Sequence, residues 1–210
     1  MTHGPEPGTI LNESGVPTPP RQAATVVVLR GGADRLEVLM VQRTPKARFM
    51  GGAWVFPGGA VDAHEGEGDA AHRAAAVREV QEEVQITLPD AQALVPFARW
   101  ITPPEVSIRF DTYFFLAVAP DGAEAIPDGS EIVDARWFEP ARALAGSKAG
   151  ELLMVFPTIK HLEQFSAFPT ADALVAHAAA HDVVPVQPRI VLSGETARVL
   201  LPGDKGYESA

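Results

Sequence analysis

Three glutamates on little more than one turn of helix, Glu79, Glu82 and Glu83, constrain this chain more than any other feature of its sequence. Around them Ala76, Val80 and Val84 recur every four residues, so residues 69–85 read as a helix whose apolar stripe faces a core and which stops near Pro89-Asp90. At i, i+3 and i+4 the three glutamates share one face, next to that stripe but distinct from it. Like charges so placed disfavour the helix by roughly 0.2–0.5 kcal/mol per pair. A hard divalent cation, Mg²⁺ or Mn²⁺, removes the conflict, because carboxylate oxygens are its preferred ligands. Such an ion could also bridge phosphate oxygens, polarise phosphorus and acidify a bound water. An Arg-Glu-x-x-Glu-Glu run standing alone is more often a solvated face. Here Phe56-Pro57-Gly58-Gly59 turns the chain sharply upstream, and Arg78 stands four residues before Glu82, where it could hold a carboxylate in place.

The rest of the chain supplies a fold for that helix. Residues 1–21 are rich in Pro, Gly, Thr and Glu without a period and read as a flexible tail. Residues 24–29 and 38–41 are short Val- and Leu-rich runs separated by Gly31-Gly32, which predicts a hairpin. Trp54-Val55-Phe56 is a third strand, stopped by Pro57-Gly58-Gly59. Residues 94–102, 111–119 and 135–138 are further strand candidates. Phe114 and Phe115 alternate along one of them, so at least one belongs to the core. Residues 158–180 read as one or two helices broken at Pro169, and residues 190–192 as a late strand. The expectation is a layered α/β domain over residues 22–210, with a helical extension from about residue 141.

Charge and composition narrow the partners. A net charge of −10 over 210 residues disfavours nonspecific binding to nucleic acid, which needs Lys and Arg on phosphates. The longest uninterrupted apolar run, residues 114–119, is too short to cross a bilayer. No basic patch followed by an apolar stretch opens the sequence, so the expected location is cytoplasmic, with no membrane partner. The absence of Cys removes thiolate ligands and cysteine nucleophiles. His177 and His181 stand at i, i+4 without an intervening acid of the zinc-protease type, so they and His161 read as structural or surface groups.

The segment from Gly59 to Ile86 resembles the Nudix box, G-x5-E-x7-R-E-U-x-E-E-x-G-U, where U is a bulky aliphatic residue. Gly59, Arg78, Glu79, Val80, Glu82, Glu83 and Ile86 fall on its positions, within a resemblance covering about residues 23–140. The resemblance implies a Nudix-type α/β/α sandwich with a mixed sheet, extra helices following at the C-terminus. It implies metal ligation by Glu79, Glu82 and Glu83 with Gly59 beside them, and catalytic roles for Glu82 and Arg78. Two departures stand out. Gly59 and Arg78 are nineteen positions apart where the pattern has fourteen, so the first glutamate of the box could be Glu65 or Glu67. Gln85 also occupies the position where the pattern has Gly.

Members resembling MutT often carry a further Glu six residues before a Trp, a spacing that Glu131 and Trp137 reproduce; Glu131 could take a proton from the attacking water. Arg43-Thr44-Pro45, the Trp54–Gly59 segment and the text around Trp100 and Arg109 are similar to the branch that cleaves coenzyme A and its thioesters. Arg43 and Arg109 are therefore the candidate substrate contacts. The expected reaction is hydrolysis of a diphosphate linkage in a nucleoside diphosphate derivative, with coenzyme A or acyl-coenzyme A leading. ADP-ribose, nucleotide sugars and dinucleoside polyphosphates follow. The alternative is a ligand-sensing module on the same scaffold, against which the intact acid cluster argues. Residues 141–210 could serve as a lid, a substrate-selecting wall or a homodimer surface.

Overall fold

The computed structural model describes residues 11–12, 14–47, 50–193 and 196–209. Its strands are β1 (Arg21–Arg30), β2 (Glu37–Arg43), β3 (Trp54–Val55) and β4 (Gly58–Ala60), followed by helix α1 (Gly68–Val84). Then come β5 (Val95–Ile101), β6 (Phe110–Val118), β7 (Ile132–Phe138), α2 (Pro140–Lys148), α3 (Phe156–Phe165) and α4 (Ala171–Ala179). Strands β8 (Pro185–Val186), β9 (Arg189–Ser193) and β10 (Thr196–Leu200) complete the order. The main sheet runs β3-β2-β1-β6-β5-β8, with β4 alongside β1 and β7 alongside β2. It is mixed: β1 and β6 are parallel from Arg21↔Phe110 to Leu29↔Val118, while β1–β2, β1–β4, β2–β7 and β5–β6 are antiparallel.

Both faces of this sheet are covered, which explains why β1 and β2 are apolar almost throughout rather than alternating. Val27, Leu29, Val38 and Met40 point to the layer containing α2, α3 and α4. Val26, Val28, Leu39 and Val41 point to the layer containing α1. The period of two in a strand produces this sorting. It also divides the adjacent phenylalanines, Phe114 facing the α3 layer and Phe115 the α1 layer, both buried. From α1 the expected stripe, Ala76, Val80 and Val84, is wholly buried. Each valine contributes about 1.5–3 kcal/mol relative to an exposed position. The result is the expected α/β/α sandwich.

Several elements differ from the sequence expectation. The third strand ends at Val55, and Gly58–Ala60 is not merely a stop but a strand of its own, registered as Ala24↔Gly59 and Thr25↔Gly58. A Cβ at Gly58 would run into the Ala24 carbonyl and Thr25, so only glycine lets the two backbones approach this closely. Helix α2 opens the helical extension at Pro140, an ordinary start signal in the first turn, although the helix is short and no clear period marks it. The C-terminal helices break around Pro169 as expected, but the late strand is one half of a hairpin, β9–β10, separate from the main sheet. Strand β8 extends the sheet edge by pairing with β5 at Arg99↔Pro185. In the N-terminal segment, Leu11 bridges Val106, and Asn12 N donates to the Glu105 carbonyl at 2.8 Å; residues 1–10 lie outside the described residues. Among the described residues no helix is long and apolar enough to cross a membrane.

Candidate active site

Strand β4 and helix α1 meet at a cavity of about 680 Å³, and the acid cluster forms one end of it. That size suits a drug-sized or cofactor-sized ligand. The helix delivers its acids by geometry alone: with Val80 and Val84 locked into the core, Glu79 and Glu83 are carried toward β4 and Glu82 toward solvent. The Glu83 side chain is buried and accepts from Gly58 N at 3.0 Å. Glu79 packs against Gly59, where an added Cβ would run into its carboxylate. Glu82 remains largely exposed.

Arg78 organises these acids. Its Nε donates to Glu65 Oε1 at 3.0 Å, one terminal nitrogen donates to Glu79 at 2.8 Å and Glu82 at 3.0 Å, and the other reaches the Ala60 carbonyl at 3.0 Å. Glu65 is therefore the acid that faces Arg78, its side chain only 5% exposed, whereas Glu67 is exposed at the entry to α1. The five extra residues are absorbed by a helical turn (Ala63–Glu65) and the loop before Gly68, which still return Glu65 to the box. Burial alone would raise the Glu65 pKa, but the bonds from Arg78 and Asp62 N bring it below its ordinary value. Arg78 is correspondingly raised, first by Glu65.

Glu79 and Glu83 behave in the opposite way. Burial pushes Glu83 up to about 8, and Glu79 and Glu131 push the same way, while Gly58 N and Arg43 oppose the shift. Glu79 is also raised, mainly by burial, with Glu82 and Glu131 adding to it and Arg78 opposing. Two helix-borne carboxylates that resist ionisation, packed against a glycine strand that admits one of them only for want of a Cβ, fit a divalent cation with oxygen ligands. Among the described residues, three acids or imidazoles do not yet converge on one point. Glu79 and Glu82 are drawn to Arg78, and Glu83 to Gly58.

Across the cavity, Glu131 lies on the loop before β7, close enough to raise the proton affinity of Glu79 and Glu83. That loop is pinned by Asp128, a residue the sequence reading passed over. Its carboxylate accepts from Ser130 N at 3.2 Å, Glu131 N at 3.0 Å and Ile132 N at 2.8 Å, and the Ser130 hydroxyl donates to it as well. Burial opposes ionisation there too, yet these donors bring Asp128 down to about 2. The pattern Asp-Gly-Ser-Glu, an Asx-type turn, was the available signal.

Arg43 ends β2 beside this loop, since Thr44 N donates to the Glu131 carbonyl at 2.7 Å. Its buried Nε has no hydrogen-bond partner, and the residue lines the cavity. Arg109 is a correction: it is buried outside the cavity wall, donating to the Thr102 carbonyl at 3.0 Å and the Thr18 carbonyl at 2.7 Å. Preceding a strand does not by itself aim a side chain at a site. Arg21 lines the cavity instead, and nothing in its local sequence marked it. His161 is a buried core residue, as read, and His181 Nδ1 contacts the His177 carbonyl at 2.7 Å.

The sandwich thus brings helix-borne acids to a ligand-sized cavity, an arrangement suited to holding a divalent cation against a phosphate. The family model described as NUDIX domain matches residues 19–158, well over half of the sequence, and the chain belongs to that family. Members of the family generally use divalent metal ions. Among solved structures, a NUDIX hydrolase from Alicyclobacillus acidocaldarius is similar at 30% identity, with a TM-score of 0.67, covering 76% of this chain and 96% of that one. The nudix hydrolase 7 of Caenorhabditis elegans is 25% identical over 89% of this chain and 74% of its own length. The acyl-coenzyme A diphosphatase of Homo sapiens is 28% identical over 57% of this chain but only 33% of its own length.

Proposed function

We propose that this hydrolase cleaves the diphosphate linkage of coenzyme A or an acyl-coenzyme A in an Mg²⁺- or Mn²⁺-dependent reaction. The observation that carries the metal-dependent chemistry is the pair of carboxylates, Glu83 buried and Glu79 half-buried, raised in proton affinity beside Gly58 and Gly59 at the end of a ligand-sized cavity. Glu79, Glu82 and Glu83, with the Gly59 backbone, would hold the cation. Bound there, it would offset phosphate charge and acidify the attacking water. Arg78 keeps Glu79 and Glu82 in position and closes the site against Glu65. Glu131, carried on the Asp128 turn, takes the proton from water. Arg43 Nε, buried without a partner, is the phosphate contact; its guanidinium can serve two phosphate oxygens at once. The substrate branch is supported by the Arg43, Trp54–Gly59 and Trp100 text and by the human relative, and rests on these resemblances alone.

The test is a panel of coenzyme A, an acyl-coenzyme A, ADP-ribose, a nucleotide sugar and a dinucleoside polyphosphate, with Mg²⁺ and with Mn²⁺, products separated by chromatography. Release of adenosine 3′,5′-bisphosphate and a phosphopantetheine is the expected result. Cleavage of another member alone discards the substrate branch but keeps the chemistry. If no member is cleaved, the ligand-sensing alternative replaces this reading.

A further inference from the structure

The cavity has two chemically different ends. One carries the acids and Arg43; the other is walled by Trp100, Phe114 and Phe156, each about nine-tenths buried, and by Pro188, Ile190 and Val199. The last three belong to the C-terminal segment, beyond the residues matched by the family model. Ile190 and Val199 are directly opposed across the β9–β10 hairpin, so their side chains share one face, and both line the cavity. The hairpin is tied down rather than loose. Ile190 N donates to Glu105 Oε2 at 3.2 Å, and the Tyr207 hydroxyl donates to the Gln187 carbonyl at 2.7 Å, just before the hairpin. On the other side, Trp100 and Phe114 are braced by the His161 ring, at centroid distances of 5.7 and 4.5 Å. A preformed apolar wall of this kind suits an aliphatic chain.

We infer that the apolar end receives the acyl chain of an acyl-coenzyme A, so that the acyl thioester is preferred over free coenzyme A and Ile190 and Val199 set the preferred chain length. This rests on the coenzyme A reading above and adds the acyl selectivity and the residues that impose it. Only van der Waals contact and desolvation are involved; the bond broken is the diphosphate linkage at the other end, and the thioester is untouched.

The experiment is a chain-length series: kcat/KM for coenzyme A and its acetyl, butyryl, hexanoyl, octanoyl and decanoyl thioesters with Mg²⁺. A rise of roughly two- to fourfold per added methylene, ending in a plateau when the chamber is full, is expected. Val199→Trp should bring the plateau to shorter chains and Val199→Ala should move it to longer ones, each judged against free coenzyme A in the same variant. The alanine variant keeps the comparison available if the tryptophan variant does not fold. Equal kcat/KM across the series, or a plateau that neither substitution moves, overturns the inference while leaving coenzyme A cleavage standing. Cleavage of ADP-ribose with no coenzyme A compound turned over overturns the coenzyme A reading itself, a result distinct from a flat series.

Discussion

Burial dominates the titration of Glu79 and Glu83 and of His161, which lie on opposite faces of the same sheet, with contrary results. On the α1 face Glu79 and Glu83 are acids pressed toward their neutral forms. On the α3 face His161 is a base pressed toward its neutral form, lowered to about 3 by burial alone among Phe56, Phe97, Trp100, Phe114 and Phe165. Neither ring nitrogen of His161 has a hydrogen-bond partner. The acids border a cavity, so a cation can reach them and convert the desolvation penalty into binding. The histidine is enclosed in the core among rings, so its penalty stays in the fold. A shifted pKa thus becomes a site where a compensating charge has access, and remains a packing cost where it has none.

The largest effect expected from this contrast is on catalysis. Glu82→Gln should lower kcat by about 10²–10³-fold, the scale of a lost transition-state charge contact, while the circular dichroism spectrum and melting temperature stay close to the parent's. A near-normal rate would remove the proposed metal role.

The next two effects concern stability and have opposite signs in pH. His161 is lowered from 6.5, so its contribution is intact above pH 6.5 and is lost as pH falls from there toward 3, because only the unfolded chain takes up the proton. The slope approaches about 1.4 kcal/mol per pH unit inside that window. Denaturant titrations at stepped pH should show His161→Leu losing less stability than the parent below pH 6.5. Parallel curves would mean that water or a rearranged partner already serves the ring.

Glu83 is raised from 4.5 to about 8, so in metal-free buffer it favours the folded state fully below pH 4.5, and that contribution is lost as pH rises toward 8. Mg²⁺ should restore stability at pH 8 in the parent and fail to do so in Glu83→Gln, whereas the His161 variant should respond to Mg²⁺ as the parent does. A melting temperature independent of Mg²⁺ in the parent would break the contrast. The smallest effect is local. Gln85 holds φ 58° at the end of α1, and Gln85→Gly should stabilise the fold by about 0.5–1 kcal/mol, read by denaturation, with kcat unchanged.

Gln85 also shows how the sequence was read correctly at one level and incompletely at another. By sequence it departs from the Gly of the pattern. The structure keeps the left-handed turn there, with Gln85 N bonded to the Gln81 carbonyl at 3.1 Å, because the tertiary frame imposes it. The acid face of α1 and its apolar stripe were legible because both are periodicities within a single element. Arg109 and Arg21 were not, since which of two arginines near strand ends faces a cavity depends on partners far away in sequence, such as Thr18, 91 residues from Arg109. The choice of Glu65 over Glu67 was likewise beyond sequence spacing, because an insertion changes the count without changing where the loop returns.

The sequence by itself determined the helix, its three glutamates and the layered α/β class, all of which follow from local spacing and hydrophobic period. Tertiary structure alone decided which glutamate closes on Arg78, that Asp128 holds the Glu131 loop, and that a hairpin from the last part of the chain walls the far end of the cavity. Those are contacts between segments remote in sequence, fixed by the packing of the whole core and carried by no single stretch of residues.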